Sequence, residues 1–281
     1  SCCLQRESSL QGSHQRAVRK VSFSPCDRYL ASAGFDSCIV VYKLNSGDYE
    51  EVNKLEGQES EIKCCEFSPS AEYLASCSRD KTVWFWQMDE EEDLTVASIL
   101  QPHTQDVKFV KWHPYEECLV SCSYDCSIVF YRLDGDEWIV QQRIENAHDS
   151  TVWCCDFSDD GKALATVGAD GIIKIWSNCW NGTSVATSKW EKVIEHQVTK
   201  RWPLYTVSWS KISGLLAVGG GDSFLRIFRV LSSKGAETFE ELYSVKWRRA
   251  DINCLHWNPK KPDYLAVGSD DGLVQVLCMG V

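Results

Sequence analysis

Residues His148 to Trp176 read HDSTVWCCDFSDDGKALATVGADGIIKIW. A histidine opens the stretch, a half-apolar run closes on Phe157, and the chain turns at Asp159-Asp160-Gly161. ALATVG follows, then a second turn at Asp170-Gly171, then a β-branched run ending in Trp176. The runs are short, rich in β-branched residues and bounded by Gly and Asp, which is the signature of strands and not of helix. The stretch predicts three antiparallel strands, A, B and C, preceded by a histidine.

The unit recurs, and fixed-period repeats decide an architecture before any other feature. The Asp ahead of strand C stands at Asp36, Asp80, Asp125, Asp170, Asp222 and Asp271, at intervals of 44, 45, 45, 52 and 49 residues. A large apolar or aromatic residue follows six positions later: Tyr42, Trp86, Tyr131, Trp176, Phe228 and Leu277. Strand A closes on Phe23, Phe67, Trp112, Phe157, Trp209 or Trp257. Four positions before the Asp come Ser32, Ser76, Ser121 and Thr166, then Val218 and Val267. The position 22 before it holds His14, Gln58, His103 and His148 in the first four repeats and Arg249 in the sixth; His196 is expected to serve the fifth, displaced by an insertion.

A period near 45 with an Asp and an aromatic closing each unit resembles the WD40 family, which implies an all-β, WD40 β-propeller fold. The resemblance implies a buried network of His, Ser/Thr, Asp and Trp, complete in His148, Thr166, Asp170 and Trp176. Its other members are His14, Ser32 and Asp36, then His103, Ser121 and Asp125, and Asp80 with Trp86. Such networks matter because a satisfied buried hydrogen bond contributes about 1 kcal/mol, whereas an orphaned partner costs roughly 1–3. The expected organisation is one propeller domain over 1–281, with repeats near 14–57, 58–102, 103–147, 148–195, 196–246 and 247–281. The family is seven-bladed, so six visible units imply a truncated first blade, with 1–13 as an outer strand closing a neighbouring blade. The chain opens on Ser1, and a preceding portion is expected.

The 281 residues carry a net charge of −11 and a pI near 5.1, which argues against non-specific binding to nucleic acid or to an anionic membrane. No apolar run reaches the ~18 residues of a bilayer span, and no secretory signal opens the chain. The 15 cysteines are therefore read as reduced thiols of the cytosol or nucleus, several of them small hydrophobes on strands.

Nothing in the chain spells catalysis. It has no nucleophile elbow, P-loop, HExxH or Gly-rich dinucleotide turn, and one Asp per repeat at a fixed offset is architecture. Cys118, Cys122 and Cys126 form a CxxxCxxxC run. A strand followed by a turn gives them no reason to converge, so neither a metal nor a cofactor is expected.

The second residue of strand A is Arg19, Lys63 and Lys108 in the first three repeats, then Trp153, Tyr205 and Asn253. Arg16 lies in the first D–A loop, Arg79 and Lys81 in the second B–C turn, and Tyr124 in the third. This rim is a candidate surface for an acidic partner or peptide tail; the alternative is the ordinary scatter of 29 Lys and Arg over a surface. Acidic MDEEED (Met88–Asp93) and LDGDE (Leu133–Glu137) read as solvated C–D loops, and the NGT at Asn181 as an idle glycosylation triplet.

Segments 14–36, 77–93, 103–114, 123–132 and 149–166 narrow the resemblance. They look like the WD40 subunit of the cytosolic iron–sulfur protein assembly targeting complex, through loops as well as framework. That resemblance implies a non-catalytic scaffold, a monomer within a hetero-complex, whose partners are the targeting-complex subunits and apo-protein clients in the cytoplasm and also the nucleus. It marks Arg79, in the CSRDK turn, as the preferred contact. A family L-Y-R triplet discussed as a docking signal reads Phe130-Tyr131-Arg132 here, with Tyr131 in the buried aromatic slot. Another WD40 adaptor, such as a ubiquitin-ligase substrate receptor, and a cluster-holding metalloprotein are the competing readings.

Overall fold

The computed structural model describes residues 9–178, 188–233, 236–247 and 250–279, and among them every regular element is a strand. The chain divides into two compact units, 1–144 and 145–281. The first holds three four-stranded sheets: β1 (Val18–Phe23) to β4 (Asp48–Glu56) through β2 (Tyr29–Gly34) and β3 (Cys38–Asn45); β5 (Ile62–Phe67), β6 (Tyr73–Ser78), β7 (Val83–Met88) and β8 (Leu94–Leu100); and β9 (Val107–Trp112), β10 (Cys118–Ser123), β11 (Ile128–Asp134) and β12 (Glu137–Ile144). The second holds β13 (Val152–Phe157), β14 (Ala163–Gly168), β15 (Ile172–Asn178) and β16 (Trp190–Gln197); β17 (Leu204–Trp209), β18 (Leu215–Gly220), β19 (Phe224–Ser233) and β20 (Ala236–Lys246); and a three-stranded sheet of β21 (Ile252–Trp257), β22 (Tyr264–Ser269) and β23 (Val274–Cys278). Each sheet is antiparallel in simple chain order.

Two expectations need correction. Residues 9–13 form no strand, and 1–8 of the expected outer strand lie outside the described residues; Asn181 and Arg249 do too. His196 does not serve the fifth turn. The fourth sheet runs on to Gln197, past the expected boundary at 195, and His196 sits on β16, paired with Ile173 and packed on Phe228 and Phe239.

Within each unit the inner strands pack in series, β1 on β5 on β9, and β13 on β17 on β21. Second strands join the series, β2 on β5, β6 on β9, β14 on β17 and β18 on β21. YLASCS and CLVSCS are buried at every position and composed of side chains small enough for sheets to approach, whereas β22 of the last sheet is fully buried at only two of its six positions. A side chain just before the strand-A aromatic stitches one sheet to the next. Ser22 Oγ accepts from the Phe67 amide (3.4 Å), Glu66 from Trp112 (2.9 Å), Asp156 from Trp209 (2.8 Å) and Ser208 from Trp257 (3.2 Å).

Two backbone irregularities recur. The residue after each repeated Asp has positive φ: Ser37, Lys81, Cys126, Gly171, Ser223 and Gly272. In five of these turns the Asp carboxylate accepts the N–H two residues on, at 3.0–3.2 Å (Thr82, Ser127, Ile172, Phe224, Leu273). The second irregularity is a bulge in every A–B pair, which skips Arg19, Lys63, Lys108, Trp153, Tyr205 or Asn253.

Candidate partner-binding site

A bulge leaves one residue out of the ladder and re-aims its side chain. In the first unit, the three residues so treated are Arg19, Lys63 and Lys108. The Lys63 ammonium stands 4.2 Å from the centre of the Phe35 ring, which Arg16 approaches at 5.9 Å. Cations over an aromatic face are attracted by its quadrupole. Arg16 also donates to the Phe35 carbonyl at 2.7 Å. Glu61, directly ahead of β5, is shared by Arg16 and Arg79, each 3.4 Å away. Lys108 pairs with Asp106 at 3.1 Å and lies 5.3 Å from the ring centre of Tyr124, which is 55% exposed.

The structure thus brings Arg16, Lys63 and Arg79 together about Phe35 and Glu61, with Lys108 and Tyr124 adjoining. Arg19 is exposed and Lys81 half-buried; neither side chain joins the group. Burial pushes the Lys63 ammonium below its ordinary value; Glu61 pulls it back, and Lys108 and Arg79 depress it further. The Ser60 hydroxyl, the backbone, Lys63 and Arg79 hold the Glu61 carboxyl down at about 2. Two carboxylates, Glu61 and Asp106, among the four cations Arg16, Lys63, Arg79 and Lys108 leave the surface with spare positive charge, suited to an anionic partner. Glu61 and Phe35 escaped the sequence reading because the residue type changes from sheet to sheet at their positions: Phe35 aligns with Arg79 and Tyr124, and Glu61 with Ala17 and Asp106.

In the second unit the bulged positions carry Trp153, Tyr205 and Asn253. The first two rings meet edge to face at 5.3 Å, and Asn253 donates to Asp270.

In the first five repeats the polar turns are closed in three ways. In the fourth repeat Trp176 donates to Thr166 (2.9 Å), Thr166 to His148 (2.8 Å) and His148 to Asp170 (2.9 Å), an order that satisfies every group. In the third, Tyr131, Ser121, His103 and Asp125 connect at 2.8, 2.6 and 3.1 Å. In the first, His14 links Ser32 (2.8 Å) to Asp36 (3.0 Å). In the second, Trp86 donates to Ser76 (3.0 Å), Ser76 to Gln58 (2.9 Å), Gln58 to Thr82 (3.4 Å) and Thr82 to Asp80 (2.5 Å), so a threonine completes the chain where histidine is missing. In the fifth, Asp222 is held by Arg226 instead.

Phe130 and Tyr131 are fully buried, and Arg132 pairs with Asp134 at 3.0 Å, so this triplet offers a partner at most its arginine. Among the described residues, no three His, Cys, Asp or Glu side chains gather as a metal site; Cys118 and Cys122 are buried, and Cys126 donates to the Tyr124 carbonyl.

Repeated sheets with this turn chemistry define a WD40-repeat protein, and the WD domain, G-beta repeat family matches at residues 4–43, 49–87, 94–132 and 140–177. Over 277 residues the chain is 48% identical to a Caenorhabditis elegans protein described as a probable cytosolic iron–sulfur protein assembly protein, CIAO1 homolog; the match covers 97% of this chain and 82% of that protein. A Culex quinquefasciatus protein of the same description is 37% identical, over 95% of this chain and 82% of its own length. A Schizosaccharomyces japonicus probable cytosolic Fe-S cluster assembly factor is 35% identical, but the chain spans only 45% of it. The chain belongs to the WD40 family of cytosolic iron–sulfur protein assembly proteins.

Proposed function

We propose that this chain is a non-catalytic scaffold of cytosolic iron–sulfur protein assembly, acting in the cytoplasm and nucleus, that docks targeting-complex subunits and apo-protein clients through its cation–aromatic surface. The observation that carries the reading is the set of bulge-lifted lysines beside Arg16 and Arg79, which share the single carboxylate of Glu61. The names of its relatives supply the pathway. Holding carrier and client on one body raises their effective concentration and asks no bond-making of the propeller. Iron–sulfur clusters are then cargo of the assembly, and the buried cysteines serve as packing.

Affinity capture of the full chain from cells tests this reading. Iron–sulfur assembly proteins should be recovered, and their capture should fall with Arg79→Glu. Recovery of cullin-linked proteins in their place would favour a ubiquitin-ligase adaptor. Stoichiometric iron and sulfide after anaerobic purification would favour a cluster-holding protein.

A further inference from the structure

Among the described residues every sheet ends on a strand with an unpaired edge: β23 (VQVLC, also uncharged) in the three-stranded sheet, and the fourth strands β4, β8, β12, β16 and β20 in the five four-stranded ones, which are compared next. Such edges are templates for unwanted pairing, and proteins protect them with charge, proline or bulges. All five share a bulge just before the strand-C aromatic, so the bulge does not tell them apart. Charge does. DYEEVNKLE, EWIVQQRI, WEKVIEHQ and AETFEELYSVK all carry charged side chains; LTVASIL, the sequence of β8, carries none.

On β8, Val96 is 47% and Ile99 50% exposed, and Thr95 and Ala97 are exposed with them. In register, Val96 lies opposite Trp86 and Ile99 opposite Trp84, and the two indoles stack at 5.2 Å. Directly opposed residues share a sheet face. Trp86 also belongs to the core shared by the first two sheets. An apolar strip therefore runs from that core to the free edge. Beside it lies the acidic segment 88–93. There Glu92 is engaged by Arg28 and Lys43, and Asp93 by Asn53, whereas the carboxylates of Glu90 and Glu91 are exposed and meet no cation among the described residues.

We propose that β8 is a docking edge for an extended segment of a partner protein. The segment adds a strand to the second sheet, lays alternate apolar side chains on Val96 and Ile99, and sets a lysine or arginine beside Glu90 and Glu91. A second copy of this chain is the poorer occupant, because the edge offers no cation to those glutamates and two copies at −11 each repel. The proposal does not rest on the role of the cation–aromatic surface, whose charge is opposite.

The test is a photo-cross-linking side chain at Ile99 of the full chain in cells, compared with the same group at Val52 on β4, which is 41% exposed on a charged strand. Ile99 should label one extended segment, rich in β-branched residues and bearing Lys or Arg at one end. Synthesised as a peptide, that segment should bind the purified chain. Its affinity should fall about tenfold or more with Val96→Lys plus Ile99→Lys, at unchanged melting temperature, and should fall with Glu90→Lys plus Glu91→Lys most strongly at low salt. Arg79→Glu should leave this binding untouched, which separates failure of the edge from failure of the rim. Equal labelling from Val52, labelling of a second copy, or a peptide indifferent to the β8 variants overturns the proposal.

Discussion

Arg226 donates to Asp222 across 2.6 Å on the fifth sheet, with only 11% and 10% of the two side chains exposed. It replaces the histidine that closes the first, third and fourth turns, and it comes from four residues downstream, where the others reach from 22 upstream. Arg226→Ala strands a nearly buried carboxylate and should lower unfolding free energy by ~3 kcal/mol. Removing Asp222 as well should restore part of the loss. Urea unfolding of the two variants checks both statements; a single variant as stable as the parent would make the pair incidental.

Asp170 ends a chain of donors that begins at the Trp176 indole. Asp170→Ala orphans His148 and two backbone amides, those of Asp149 and Ile172, and should cost roughly 2–4 kcal/mol. Trp176→Phe removes one bond to Thr166, which keeps its bond to His148, and should cost only about 1. Thermal melts that rank the two in the opposite order would contradict the donor order given above.

Acid should act through the same turns. Burial is the largest influence on the carboxyls of Asp36, Asp125 and Asp170 and works to raise them. Hydrogen bonds from His14, His103 and His148, from neighbouring backbone amides and, at Asp125, from Ser127, together with attraction to the histidines, outweigh it. All three are held below the ordinary value, Asp125 well below. The native pKa being lower, the unfolded chain takes up protons first as pH drops through about 4. Their stabilisation is complete above that value and is lost progressively beneath it. Unfolding midpoints between pH 6 and 2 should fall steeply for the parent and less steeply for Asp125→Asn; parallel curves would remove Asp125 from the cause.

Arg79 is 59% exposed and sits 3.4 Å from Glu61, a geometry that contributes little to stability. Arg79→Glu should shift unfolding free energy by no more than about 0.5 kcal/mol, yet weaken capture of iron–sulfur assembly partners, more so at low salt. Lys63→Glu should act on capture in the same direction. A large loss of stability in Arg79→Glu would make this arginine structural.

The stitch between the fourth and fifth sheets rests on Asp156, which accepts from the Trp209 amide at 2.8 Å and lies 3.6 Å from Lys211. Asp156→Ala leaves a buried N–H unpaired and should cost roughly 1–3 kcal/mol. Hydrogen exchange at the Trp209 amide reads this directly: acceleration there is expected, and unchanged protection would rule the stitch out.

The amino-acid sequence by itself determined the repeated sheets, because turn chemistry and strand length are local. An Asp two residues ahead of a waiting amide, a following residue able to take positive φ, and six-residue apolar runs recur wherever a sheet is built. The threonine that rescues the Gln58 turn was locally visible too, two residues after Asp80, though only its hydrogen bonds show what it does. Tertiary structure alone decided which charges meet. A bulge depends on how two strands pair, so the lifting of Arg19, Lys63 and Lys108 out of the ladder is not written in those residues. Glu61 serves arginines from the D–A loop of one sheet and the B–C turn of the next, and only packing brings these together. Arg226 displaced the expected His196 for the same reason: β16 ran two residues longer, carried the histidine into an aromatic cluster, and left Asp222 to the nearest cation on its own sheet.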